Sequence, residues 1–276
     1  MLHHEIKDWS AAYANGANIV GAEAYPKTWE AAAAAFRAER LADPARVRLD
    51  IAYGAFERQR FDLFLPQSEA KGLVVFIHGG YWLAFDGGVW SHFAAGPLGR
   101  DFAVAVPTYR LCPEVRIAEI TNDVAAAISA AAALVDGPLY LTGHSAGGHL
   151  ATRMITTTSP LVQGVRDRIG HVVSISGLHD LRPLMRTQMN ARLRLDAREA
   201  AAESPALLEP IERARVTCWV GGAERAEFRR QNALLANIWT GLGARTLAWE
   251  AQDRHHFNVL DDLADPASAL VAALLD

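Results

Sequence analysis

From Gly72 onward, short apolar runs alternate with stretches of helical period, the pattern of a mostly parallel sheet with helices packed on it. The runs at 73–77, 103–107, 139–142, 171–176, 216–220 and 246–249 read as strands. Between them, 117–134 and 226–239 read as helices, the first carrying an alanine run that favours helix. Ahead of this sheet, 25–40 places Trp29, Ala32, Ala33 and Phe36 at helical spacing, which predicts an amphipathic helix. The segments 47–53 and 60–65 alternate apolar with polar and read as paired antiparallel edge strands. Two stretches break the alternation: 9–24, and 181–206 with Met185, Met189, Leu193 and Leu195. They are expected to hang over the strand ends as a small cap. Without repeats or low-complexity linkers, the pattern implies a single α/β domain over 1–276, with cap elements at about 9–40 and 181–206.

Chemistry concentrates where one strand meets one helix. Gly143-His144-Ser145-Ala146-Gly147 follows the run at 139–142 and opens the helix-like stretch 149–155. A serine on a sharp strand-to-helix turn needs small residues two before and two after it, because a Cβ there would strike the crossing backbone. The serine Oγ then projects from the end of the sheet, and the Ala146 N–H points at an oxyanion formed on attack. His78-Gly79-Gly80-Tyr81-Trp82 directly follows the buried strand at 73–77, the place of a loop that completes an oxyanion hole. Gly80, Tyr81 and Ala146 are therefore the expected donors, with His78 propping the loop.

A triad on such a turn takes its acid and its histidine later in the chain, in that order. His255 and His256 lie in the loop after the strand at 246–249, and spacing alone does not choose between them. Glu224, in the Gly221-Gly222-Ala223-Glu224 turn after the preceding strand, is the candidate acid. Its rivals are Asp180 and Asp253, the latter close to the histidines in sequence.

These motifs make the chain resemble the α/β-hydrolase superfamily, in the branch of hormone-sensitive-lipase-like esterases and kynurenine formamidases (arylformamidases). His78-Gly-Gly-Tyr-Trp82 is similar to the formamidase form of the oxyanion motif, where many esterases of the branch carry a third glycine. Tyr109-Arg-Leu-Cys-Pro-Glu114, Ser176-Gly-Leu-His-Asp-Leu181 and the acid loop 220–228 resemble further segments, though formamidases more often have Asp where this chain has Glu224. His256-Phe257 matches the family's His-Phe pair, which favours His256 as the base. The resemblance implies a serine hydrolase with Ser145, Glu224 and His256, without metal or organic cofactor. Its expected substrate is a small ester or aryl-amide of the N-formylkynurenine type. A short-chain or aryl carboxylesterase is the alternative, and a non-catalytic binding protein on this fold a remote one. Tyr81 and Trp82 are expected to form an aromatic wall for an aryl group, with Gly79, His144, Met185 and Met189 as further substrate contacts.

Composition changes this picture little. A chain of 276 residues, 51% hydrophobic, can bury a full core, and a net charge of −4 without a basic cluster gives nucleic acid no footprint. The two cysteines, Cys112 and Cys218, suit a reducing compartment. The stretch Met1–Trp9 has no basic-then-apolar leader pattern, and no apolar run approaches a membrane span. A cytoplasmic protein is the expectation, and a homodimer remains open.

Overall fold

The structure, a computed structural model, describes residues 5–276; the four before them, part of the stretch read for a leader, lie outside it. Eight strands form one sheet in the order β1-β2-β4-β3-β5-β6-β7-β8. They are β1 (Val47–Ala52), β2 (Arg60–Phe64), β3 (Leu73–Ile77), β4 (Ala103–Thr108), β5 (Leu139–His144), β6 (Ile169–Ile175), β7 (Arg215–Gly221) and β8 (Arg245–Ala251). β2 runs antiparallel to β1 and β4, and every other pairing is parallel. Only β1 of the first two strands is therefore an edge. β2 is paired on both sides, and its Phe61 and Leu63 face one core while Phe64 faces the other.

Burial on both faces is what parallel strands require. Leu73, Val75 and Ile77 of β3 enter one core, and Val74 and Phe76 the other. The first core also takes α2 (Ile117–Ala132), α3 (Ala146–Arg153) and α4 (Ala226–Gly241), through residues such as Ile120, Leu150 and Trp239. The second lies under α1 (Tyr25–Arg40) and α5 (Ala269–Leu275). Trp90 and Phe93 join it from a 3₁₀ run at Gly87–Ala94, whose glycine-rich start gives no periodic signal. Past the loop after β8 the chain makes a 3₁₀ turn, Asp261–Ala264.

The two cap stretches are chains of short turns held together and held down. Gln188 N–H donates to Ser10 Oγ at 3.0 Å, and the Arg186 guanidinium lies 5.1 Å from the centre of the Trp9 ring. Arg225 donates to Ala11 O and Asn18 Oδ1, both at 2.9 Å, and Tyr13 OH donates to Glu227 Oε2 at 2.8 Å. Part of the expected cap is core instead: Leu193 and Leu195 are buried. Within α1 only the first turns reach the cap, and Phe36 packs edge-on against Phe64.

Candidate active site

Ser145 directly follows β5 with φ 56° and ψ −115°, a strained backbone for a residue with a side chain, and α3 begins at the next residue. Ser145 N–H donates to Ile175 O at 2.8 Å, which anchors the turn to β6. The flanking glycines are required by contact. A Cβ on Gly147 would lie 1.9 Å from Ile77 O, and one on Gly143 would lie 2.4 Å from the Gly147 carbonyl carbon.

The end of β7 delivers Glu224 and the turn after β8 delivers His256. Glu224 Oε2 accepts from His256 Nδ1 at 2.6 Å, while Oε1 accepts from Ser176 OH at 2.5 Å and Gly221 N–H at 2.8 Å. A proton fixed on Nδ1 leaves Nε2 as a lone-pair acceptor, the tautomer a general base needs. Packing holds the ring, with Phe228 4.4 Å away between centroids. His144 Nε2 donates to His256 O at 2.9 Å, and burial lowers the His144 pKa well below the usual value, so this ring holds the His256 backbone without charge. Ser145 and His256 line the same cavity. Among the described residues the hydrogen bonds of His256 run to Glu224 and His144, and none to Ser145, a looseness common before a substrate aligns such groups.

The rival groups are occupied elsewhere. His255 Nδ1 accepts from the Phe257 and Asn258 amides at 3.1 and 3.3 Å, so its proton sits on Nε2 and faces Tyr25 OH at 3.1 Å. Asp180 is held by Arg182 at 2.9 Å, and Asp253 is exposed.

Among the described residues no hydrogen bond takes up the N–H of Gly80, Tyr81 or Ala146. Gly80 has φ 104°, and a Cβ there would lie 2.5 Å from Ala84 O, so only glycine turns this amide inward. His78 stacks on Tyr109 at 4.1 Å, and burial pushes its pKa down to about 4, which makes it a neutral prop for the loop.

Above these groups lies a cavity of about 420 Å³. Trp29, Phe85, Trp90 and Phe257 form its aromatic side, with Trp29 4.7 Å from Trp90 and 5.3 Å from Phe257. Tyr81, His144 and Met189 also line it. Three expected substrate contacts do not. Trp82 is fully buried behind the loop, its ring edge-on to His149 at 5.1 Å, because positive φ at both Tyr81 and Trp82 turns the chain back. Gly79 backs onto His144, whose carbonyl oxygen would lie 2.8 Å from a Cβ there, and Met185 packs against the core. The aromatic side escaped sequence reasoning because its residues come from α1, the 3₁₀ run and two loops. Ser176, the second donor to Glu224, was legible only as the residue ending a strand.

Fold and site together define an α/β-hydrolase, on the branch that holds the kynurenine formamidases and hormone-sensitive-lipase-like esterases. The chain belongs to the BD-FAE family, whose model matches residues 61–209. It is similar to the kynurenine formamidase of Danio rerio, 28% identical over 86% of this chain and 84% of that one. A crystal structure of a candidate thioesterase from a Silicibacter species is 50% identical, with a TM-score of 0.91 over 97% of this chain and 98% of that one. The esterase of the archaeon Pyrobaculum calidifontis, 19% identical with a TM-score of 0.67 over 87% of this chain and 86% of that one, shares the fold. No described helix is long and apolar enough to cross a membrane, and no described group of His, Cys, Asp and Glu could hold a metal ion.

Proposed function

We propose that the protein is a serine hydrolase that cleaves small acyl esters or aryl formamides through an acyl-enzyme. The observation that carries this reading is the Glu224–His256 contact of 2.6 Å, with His256 and Ser145 lining one cavity. His256 Nε2 takes the Ser145 proton as Oγ attacks the acyl carbonyl, and the Gly80, Tyr81 and Ala146 amides stabilise the oxyanion. The resulting imidazolium, held by Glu224, gives its proton to the departing arylamine or alcohol. Water, deprotonated by His256, then attacks the acyl ester and releases the acid with free Ser145.

An aryl formamide is the first substrate choice, supported by the similarity to kynurenine formamidases and by the aromatic side of the cavity. A carboxylesterase is the second, supported by the esterase folds. Tyr81, beside the oxyanion donors, favours a formyl or acetyl group over long acyl chains, since an overpacked methylene costs ~1–3 kcal/mol. Parallel assays on N-formylkynurenine and on aryl esters from acetyl to hexanoyl test this. Turnover of the formamide and a steep fall in kcat/KM with chain length are expected, and a preference for hexanoyl esters contradicts the formamidase reading. The two free, buried cysteines support a cytoplasmic setting.

A further inference from the structure

Asn15 sits on the cap side of the catalytic cavity, 6% exposed, with neither its Oδ1 nor its Nδ2 bonded to anything among the described residues. It stands before the 3₁₀ turn Gly16–Asn18 with right-handed helical backbone, and its side chain makes no capping bond to that turn. A buried carboxamide without partners costs about 1–3 kcal/mol, so Asn15, which also lines the cavity, keeps its bonding capacity for a group that enters there. Its neighbours are fixed. Tyr81 OH donates to Tyr13 O at 2.6 Å on one side, and on the other a Cβ on Gly16 would lie 3.8 Å from Phe257 Cζ. Asn15 is thereby held between the oxyanion loop and the aromatic side. A second orphan, the indole N–H of Trp90, is buried on that same side. Among the described residues that line the cavity none is Asp, Glu, Lys or Arg, so an ionic group bound inside would lose hydration without a counter-charge.

Resting on the function proposed above, we propose that Asn15 is a substrate-binding residue. Its carboxamide bonds a neutral polar group, one that both donates and accepts, on the aryl portion of the substrate. A primary amide on the ring has the matching chemistry: its C=O accepts from Nδ2–H and its N–H donates to Oδ1. A carboxylate would leave Oδ1 facing negative charge.

The test compares phenyl acetate, 4-carbamoylphenyl acetate and 4-carboxyphenyl acetate with the unmodified enzyme, Asn15→Leu and Asn15→Ala. The quantity read is the ratio of kcat/KM for the carbamoyl ester to that for phenyl acetate, taken within each enzyme. Comparing ratios between enzymes cancels the intrinsic reactivity of the two leaving groups. Each variant is expected to lower that ratio about tenfold, mainly through a higher KM for the carbamoyl ester, since the contact exists in ground and transition states alike. The unmodified enzyme is expected to prefer the carbamoyl over the carboxy ester. Ratios within about twofold of the unmodified enzyme in a folded variant overturn the role of Asn15, and a preference for the carboxy ester overturns the neutrality of the group that Asn15 bonds. Phenyl acetate turnover by the unmodified enzyme reads the hydrolase proposal separately: its absence sinks both, its presence with unmoved ratios sinks only this inference.

Discussion

Glu224, beneath the catalytic groups, and Asn15, on the cap side of the cavity, are held on opposite terms. On the catalytic side every oxygen of Glu224 is used, its three donors coming from the ends of β6 and β7 and from the loop after β8. On the cap side Asn15 is buried without partners, as is the Trp90 indole on the aromatic side. Saturated contacts preorganise groups whose geometry must not change during reaction. Unsaturated ones leave hydrogen-bonding capacity to the substrate. The proposed chemistry lies on one side and the proposed recognition on the other, and substitutions should separate them by whether kcat or KM moves.

The largest effects are expected on the catalytic side. Ser145→Ala should lower kcat by on the order of 10⁶-fold and leave the fold intact, as judged by kcat with an aryl acetate and by circular dichroism. His256→Ala should come close to it, whereas His255→Ala, which removes only a turn contact, should cost less than about tenfold. Glu224→Gln keeps the size but cannot hold an imidazolium, and a loss of about 10⁴-fold in kcat is expected. A loss below tenfold, with Asp180→Asn severe, would move the acid. Ser176→Ala removes one donor to Glu224 and should cost about tenfold in kcat with little change in KM.

The difference between the two sides also explains what the sequence made legible. The elbow and the oxyanion loop carry local signatures because backbone geometry restricts their residues: Gly143, Gly147 and Gly80 cannot bear a Cβ where they lie. Strand and helix periods placed Glu224 and His256 at strand ends, and the structure then joins them across 32 positions of sequence. The aromatic side has no such signature. Trp29, Phe85, Trp90 and Phe257 read singly as core aromatics, and only the tertiary crossing of α1 over the 3₁₀ run puts them around one cavity. Trp82, adjacent to the donors in sequence, was misplaced because left-handed backbone at two successive residues is invisible to pattern reading.

On the cap side the expected effects are smaller and fall on KM. Tyr81→Phe removes the bond from Tyr81 OH to Tyr13 O and should raise KM severalfold with kcat nearly unchanged, because the Tyr81 amide remains in place. A kcat defect as large as that of Ser176→Ala would erase the distinction between the sides.

The mildest effect is on stability. His78 and His171 are buried and neutral, and burial lowers each pKa from 6.5 to about 4. Between those values the unfolded chain binds protons that the folded chain refuses, so stability falls as pH drops from about 6.5 to about 4 and is fully present above. Each such histidine contributes a slope of roughly 1 kcal/mol per pH unit. Asp261, whose burial raises its carboxyl to about 6, opposes this in part, since the folded state there binds the extra proton. Denaturant titrations at several pH values should show a smaller slope for His171→Asn, and an unchanged slope would mean that the imidazole of His171 is not buried neutral.

The most direct measurement is the site of covalent trapping by a fluorophosphonate, read by intact mass and peptide mapping. The account requires one adduct per chain, located on Ser145, absent from Ser145→Ala and formed far more slowly in His256→Ala and Glu224→Gln. An adduct on another residue, or none in a preparation that hydrolyses aryl acetates, would contradict it.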